Sequence, residues 1–429
     1  MASLGENLQG CCMTETNYVL LIFIVLLLIE QLVEFKLLLL NLDYANKHNT
    51  EFPPELDGLY DDSTQQKSLA YTKHKTYFSI FSAYYSLIIL FVILFSGFFA
   101  KLDSWWGTCN LNKNLHGTAY LLSVIFLLSI LQLPAAYYSA FVLEERFGFN
   151  KTSRLLWAKD QAISLLISAL VAAPLISLIL HFMSAVPHMW WLYASISLIF
   201  LQMFLAFIFP IWIAPLFNKF SPLEEGELKQ EIVELVGKIG YQTTGVFSVD
   251  GSKRSKHANA YFAGLGKSKR IVLFDTLINL LSTKQILAVL AHEIGHEKLG
   301  HIKKSLLFSS AMVFAGFYLL NYFYQWPAIY KAFGFAEPSN HAALLIFSLV
   351  TGPIMYFVSP TFNFLSRKFE YQADRFAIES IGSFEPLSTS LAALSKNSLS
   401  NLTPHPWYSF MHYSHPTLIE RIGAMRNKP

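Results

Sequence analysis

The run Ala291-His292-Glu293-Ile294-Gly295-His296 carries the residue types that hydrolyse amides with the help of a metal. Histidines four apart on a helix share one face, so His292 and His296 can offer both imidazoles to one zinc ion. Glu293 stands beside them and need not be a ligand. It can take a proton from a water that the metal acidifies and later pass it to a departing amine. The plainer reading of the same residues is a solvated helix face.

A catalytic zinc needs a third protein ligand and one open position. His301 follows His292 by nine residues, which at about 100° per residue places it on the far side of a continuous helix. The longer zinc motif with a third histidine also fails, because Ile302 occupies that histidine's place. The segment Ser366-Arg367-Lys368-Phe369-Glu370-Tyr371-Gln372-Ala373-Asp374 is the better source. Glu370 can meet the two histidines as third ligand, and Asp374, one turn on, can hold a ligand histidine's free N–H. The alternative is a charged flank snorkelling at the end of a membrane helix. Further on stand His405, His412 and His415, followed by Arg421. One of these histidines can stabilise the oxyanion of a tetrahedral intermediate, or all have structural roles.

The chain that must position these groups has 429 residues, of which 53% are hydrophobic and only 14% charged. Soluble domains carry about 25% charged residues, so the composition reads as a multi-pass membrane protein and excludes a disordered chain. A net charge of +3 does not suggest a nucleic-acid partner. Three cysteines, Cys11, Cys12 and Cys109, make neither a disulfide framework nor a zinc ribbon. Leu8-Gln9-Gly10 before Cys11 faintly resembles a lipoprotein cleavage box, but no apolar run precedes it, so the first apolar run reads as a retained helix.

Seven stretches reach the roughly 20 residues of a helical span. They lie near Tyr18–Leu40, Tyr77–Ala100, Thr118–Ala140, Gln161–Phe182, Trp190–Ala214, Ser305–Tyr324 and Ala342–Phe364. Prolines inside them (Pro134, Pro174, Pro210, Pro353, Pro360) are tolerated where neighbours satisfy the freed carbonyls. Of the 32 Lys and Arg residues, 28 fall in the segments that share a side with the C-terminus. That side is therefore cytosolic. Sequons at Asn150 and Asn401 then face the cytosol and are not glycosylated. Glu30 and Glu34 share a face of the first span, either inside the bundle or near the interface.

The long loop at 215–304 reads as an amphipathic helix over Leu223–Ile239, opened by Ser221-Pro222. Short strands follow at Gly245–Val249, Ala258–Phe262 and Arg270–Phe274, with a turn at Lys267–Arg270. A helix from Thr283 to about His301 carries the histidine pair.

Taken together the sequence resembles the CAAX prenyl protease 1 family, Ste24-type zinc metalloproteases of peptidase family M48. The resemblance runs through Glu145-Arg146-Phe147-Gly148-Phe149-Asn150-Lys151, Ala214-Pro215-Leu216-Phe217-Asn218-Lys219-Phe220 and His257-Ala258-Asn259-Ala260-Tyr261-Phe262. It continues through Lys269–Leu277, the histidine-pair helix, Phe369–Asp374 and Tyr413-Ser414-His415-Pro416. It implies a fold of seven transmembrane helices forming a barrel around a large chamber, all α except for a small β-sheet in a cytosolic zincin-like domain. One Zn²⁺ would be held by His292, His296 and Glu370, with Glu293 as general base and Asp374 behind the ligands. His415 and Arg421 would lie near the transition state. Asn259 and Ala260 would pair with the substrate backbone as an edge strand. Glu30 and Glu34 would line the chamber.

The expected divisions are 1–214 (five membrane helices), 215–304 (cytosolic loop domain), 305–365 (helices six and seven) and 366–429 (completing the zinc site). The expected activity is removal of the last three residues of a prenylated CAAX protein or peptide, by a monomer in the lipid bilayer. A short loop between spans six and seven and the lack of a recognisable retrieval signal fit either the endoplasmic reticulum or a bacterial inner membrane. Competing readings are a quality-control membrane protease that ignores the prenyl group, and a transporter with an incidental zinc motif. An intramembrane protease fits poorly, because Lys284, Glu297 and Lys298 flank the motif and it precedes the apolar span.

Overall fold

The computed structural model describes residues 14–48, 61–263 and 269–426. The Cys11-Cys12 pair and residues 267 and 268 of the expected turn lie outside the described residues. The chain order is α1 (Glu15–Lys47), α2 (Asp62–Phe95), α3 (Phe98–Gly107), α4 (Lys113–Tyr138), α5 (Arg154–Ala185), α6 (Trp190–Ile208) and α7 (Ala214–Phe217). There follow β1 (Phe220–Pro222), α8 (Glu227–Ile239), β2 (Gly245–Val249), β3 (Ala260–Ala263), β4 (Arg270–Phe274), α9 (Asp275–Leu280) and α10 (Thr283–Lys298). The last elements are α11 (His301–Phe323), α12 (Pro327–Ala332), α13 (Asn340–Ile381), α14 (Glu385–Asn397), α15 (Pro406–His412) and α16 (Leu418–Arg426).

All seven expected spans are present as long apolar helices. Their starts are fixed by side-chain caps. Thr14, Asp61, Asn112, Ser153 and Ser339 each accept a hydrogen bond from a first-turn N–H of α1, α2, α4, α5 and α13. The second span begins 15 residues earlier than the apolar run, at Asp62, because its polar first turns rise out of the membrane. It ends at Phe95, and Gly97 (φ 66°) turns the chain into the separate helix α3. Helices α4 and α6 run on through π-helical turns at Ser139–Glu144 and Phe209–Ile213. The second of these holds Pro210, whose missing N–H breaks the regular α ladder.

The helices touch in a closed ring, α1 to α2, α4, α5, α6, α11, α13 and back to α1. Only 6–28% of each span's apolar window is buried, whereas a solid bundle would bury a full stripe of every helix. Between α6, α11 and α13 the staves surround open space, a cavity of about 950 Å³. The exception is the non-cytosolic end, where Phe23, Phe99, Tyr120, Trp190, Tyr330 and Ala342 belong to one buried cluster. The ring is plugged there.

The cytosolic part is one folded body built from two separated stretches of chain. Its core joins Ile232, Ile271, Leu277, Ile286, Leu290 and Ile294 with Ala377, Leu387 and Met425. The sheet order is β1-β2-β4-β3, with β2 and β4 parallel and both outer pairs antiparallel. Two sequence expectations change. Ser221-Pro222 do not open a helix but pair with Ser248 and Phe247 as β1, and α8 starts at Glu227. The third strand runs from Ala260 rather than Ala258. This body is moored to the spans by Arg254, which donates to both oxygens of Asp160 at 2.8 and 2.9 Å. Glu144, in the π-turn, accepts from Tyr71 Oη at 2.7 Å and faces His257 Nε2 at 3.4 Å.

Candidate metalloprotease site

Helix α10 starts at a capping box, with Ser282 and Gln285 satisfying each other's backbone N–H. Its buried face packs along the cytosolic end of α13. Contact that close needs a small residue. A Cβ on Gly295 would lie 3.1 Å from Phe376 Cδ1 and 3.2 Å from Ala373 Cα. The approach brings the expected ligands together. His292 Nε2 and His296 Nε2 are 3.1 Å apart, and they lie 3.4 and 3.2 Å from the two carboxylate oxygens of Glu370. Ligand atoms around a tetrahedral zinc, with bonds of about 2.0–2.1 Å, stand roughly 3.3 Å apart.

The residues fit a metal on a second count. Glu370 is buried, and its Oε2 has no hydrogen-bond partner. A buried carboxylate oxygen without a donor is costly unless a cation completes it. The His-His-Glu donor set suits zinc.

Further side chains stand behind this triangle. Asp374 Oδ1 lies 2.8 Å from His292 Nδ1. This contact fixes the tautomer that leaves Nε2 free to ligate. Arg421, itself buried, donates from Nε to Asp374 Oδ2 at 2.8 Å and from Nη2 to Oδ1 at 2.5 Å. Its Nη1 stands 3.5 Å from Glu370 Oε2. One arginine thus balances both acids of α13. His415 is more exposed, and its Nε2 lies 3.3 Å from Glu370 Oε1. Glu293 is one residue from the ligand His292 and lines the adjoining cavity. Burial raises its pKa above the ordinary carboxylate value, with His292 and His296 opposing.

His301 differs from expectation. The helix does not continue through it, because Gly300 takes a left-handed conformation (φ 69°) and His301 opens α11. The ring folds back, so that His301 Nδ1 is 3.1 Å from His296 Nδ1 and His301 Nε2 is 2.9 Å from Gln372 Oε1. It stacks on Phe369 at 4.2 Å. His301 thus stands behind His296 as Asp374 stands behind His292. The Leu299-Gly300 step, a helix-ending glycine, was the signal for it.

Glu34 lies inside the bundle, where it accepts from Tyr356 Oη at 2.9 Å and stands 2.9 Å from His412 Nε2. Ala260 is paired with Leu273 on the edge strand β3, and Asn259 just before it is exposed. A cavity of about 950 Å³ extends from His292, Glu293, His296 and Glu370 to Met203 and Ala206 on α6 and Leu306 and Phe308 on α11. A second cavity, of about 470 Å³, shares His415 and Arg421 with the first and reaches Ala258, beside the edge strand.

Comparison with known proteins covers most of the chain. Residues 41–219 match the CAAX prenyl protease N-terminal family of five membrane helices, and residues 222–428 match peptidase family M48. CAAX prenyl protease 1 of Saccharomyces cerevisiae is 37% identical over 89% of this chain and 90% of its own length. The human CAAX prenyl protease 1 homolog is 33% identical over 89% of this chain and 90% of its own. The crystal structure of S. mikatae Ste24p superposes with a TM-score of 0.89 at 36% identity, covering 95% of this chain and 99% of that one.

Proposed function

The chain belongs to the CAAX prenyl protease 1 family of M48 peptidases, an integral membrane metalloprotease, and on that premise we propose that it removes the three C-terminal residues of prenylated CAAX proteins or peptides. The observation that carries this reading is the cavity, which joins the His-His-Glu triangle to apolar walls inside the spans. A lipidated peptide needs both environments at once. A prenyl chain gains about 0.8 kcal/mol per buried CH₂ against such walls, while its polar backbone stays by the sheet.

We propose that His292, His296 and Glu370 hold one Zn²⁺, which when bound acidifies a water and polarises the scissile carbonyl. Glu293 accepts the proton of the attacking water and delivers it to the departing amine. His415, exposed at the cavity wall, donates to the developing oxyanion. Asp374 and Arg421 keep His292 and Glu370 in place. Asn259 and Ala260 present the free edge of β3 to the substrate backbone. The same reading gives a monomer with its site in the cytosol, in the endoplasmic reticulum of a eukaryote or the inner membrane of a bacterium.

The test uses purified protein in detergent, a farnesylated CAAX peptide and the same peptide without lipid. Zinc-dependent loss of three residues, faster with the lipid, is expected. Equal cleavage of both peptides would instead favour a quality-control protease indifferent to prenylation.

A further inference from the structure

At the non-cytosolic end the fold brings together three titratable residues far from the His-His-Glu triangle. Asp103 comes from α3, His116 from the first turn of α4, and His341 from the first turn of α13. His116 Nε2 and His341 Nε2 lie 2.7 and 2.8 Å from the same oxygen, Asp103 Oδ1. One ligand atom from each of the three falls within a common 4.8 Å. The rings are stacked, with centroids 5.1 Å apart. We propose that Asp103, His116 and His341 form a second divalent-metal site, suited to zinc, that clamps the closed end of the helix ring.

The donor set is two imidazole nitrogens and one carboxylate oxygen, which zinc takes as a three-ligand site with one position left over. The fourth position is left to water, and Ser339 Oγ, 3.2 Å from His341 Nε2, adds a further polar group beside the cluster. The present separations are hydrogen-bond lengths, so a cation must push the carboxylate back by about half an ångström to reach tetrahedral spacing. Asp103 has room for that, its side chain being 26% exposed.

Two further observations point the same way. Tyr120 is fully buried with its ring 4.9 Å from that of His341, and its hydroxyl has no hydrogen-bond partner. A buried orphan of this kind calls for a water or ion nearby. The backbone also makes way for the cluster. A Cβ on Gly117 would lie 3.0 Å from His341 Cβ and 3.2 Å from its Nδ1. Only glycine lets α4 approach the histidine of α13 so closely.

The site cannot act on the scissile bond. His341 and Glu370 lie on the same helix 29 residues apart, about 44 Å along its axis. Its work is to tie α3, α4 and α13 where the ring is plugged.

The experiment counts metal on the full-length chain in detergent, equilibrated with excess zinc and then desalted. Wild type should hold about two zinc ions per chain, and a His292→Ala/His296→Ala variant about one. Asp103→Asn is the discriminating change. It keeps an acceptor for both imidazole N–H groups, so a purely hydrogen-bonded cluster survives it, whereas the charge a metal needs is gone. It should hold about one zinc ion. A wild type that binds only one, or an Asp103→Asn protein that still binds two, would overturn the proposal. Should Asp103→Asn misfold, the His292→Ala/His296→Ala variant is titrated with Co²⁺. Uptake of one equivalent, with the visible absorption of a nitrogen- and oxygen-ligated site, supports the proposal, and absence of uptake overturns it.

Discussion

Helix α13 contributes one residue to each of two His-His-carboxylate triangles, Glu370 towards its cytosolic end and His341 at the other. Near the cytosolic end the carboxylate of Glu370 faces two separate imidazoles at 3.2 and 3.4 Å, with every partner backed by another side chain. At the far end one oxygen of Asp103 gathers both imidazoles at 2.7 and 2.8 Å, in a tighter cluster. The first opens on a cavity and the second on a packed plug. The difference teaches what separates a working metal site from a clamp. The first needs an open position beside a base, the role proposed for Glu293. The far triangle has no such neighbour among its three residues and can only hold helices together.

The sharpest way to break this comparison is Glu293→Ala. Loss of a general base costs about 10²–10⁴-fold in turnover, while the bound metal should be retained. Turnover of the lipidated peptide and zinc content are measured on the same sample. A variant that still cleaves at more than a tenth of the wild-type rate would remove Glu293 from its role. Burial raises the Glu293 pKa while the neighbouring histidines and a bound cation lower it, and its titration should set the acid limb of the wild-type profile. Below it the base is protonated and activity falls.

Next in size is His301→Ala, which deprives His296 Nδ1 of its partner. Loss of a group orienting a metal ligand lowers affinity by about 10–100-fold. Competition with a chromogenic chelator reads this directly. Unchanged affinity would mean that Gln372 and Phe369 hold His301 for packing alone.

The triangles also differ in how far each could be read in the sequence. His292, Glu293 and His296 sit within one helical turn and a third, so period and spacing alone expose them. Glu370 lies 74 residues beyond His296, and was reachable only because topology returns both helix ends to one membrane face. His301 was misplaced by extending α10 through Gly300. The strand β1 was missed because Ser221-Pro222 also reads as a helix start, and its pairing with β2 is a tertiary fact. Asp103, His116 and His341 carry no local pattern at all. Asp103 stands mid-way along α3 and the two histidines in the first turns of α4 and α13, and only the closure of the ring brings them together.

A smaller effect is expected from pH on metal uptake. Burial opposes charge on His292, yet the carboxylates of Asp374 and Glu370 beside its two ring nitrogens prevail and hold its pKa above the usual histidine value. The metal-free histidine therefore keeps its proton at neutral pH, and a cation must displace it. Affinity should fall by about tenfold for each unit of acidification while one proton is released. Calorimetry in two buffers of different ionisation enthalpy counts that proton, and a count of zero at neutral pH would refute the assignment.

The smallest and most pointed comparison concerns the glycine that admits each triangle. Gly295→Ala sets a methyl against Phe376 and the Ala373 backbone, and Gly117→Ala sets one against His341 and Leu180 Cδ1. Overpacking of this kind costs about 1–3 kcal/mol. The two variants should lose similar thermal stability but diverge in function. The Gly295 change wedges α10 away from α13, so it widens the spacing between the histidine pair and Glu370 and speeds loss of the catalytic metal. The Gly117 change strains a cluster some 44 Å along α13 from the reacting atoms, and peptide cleavage at low temperature should be little altered. If Gly117→Ala weakened cleavage as much as Gly295→Ala at equal folded fraction, the two ends of α13 would be coupled, and the plug would be part of the catalytic apparatus after all.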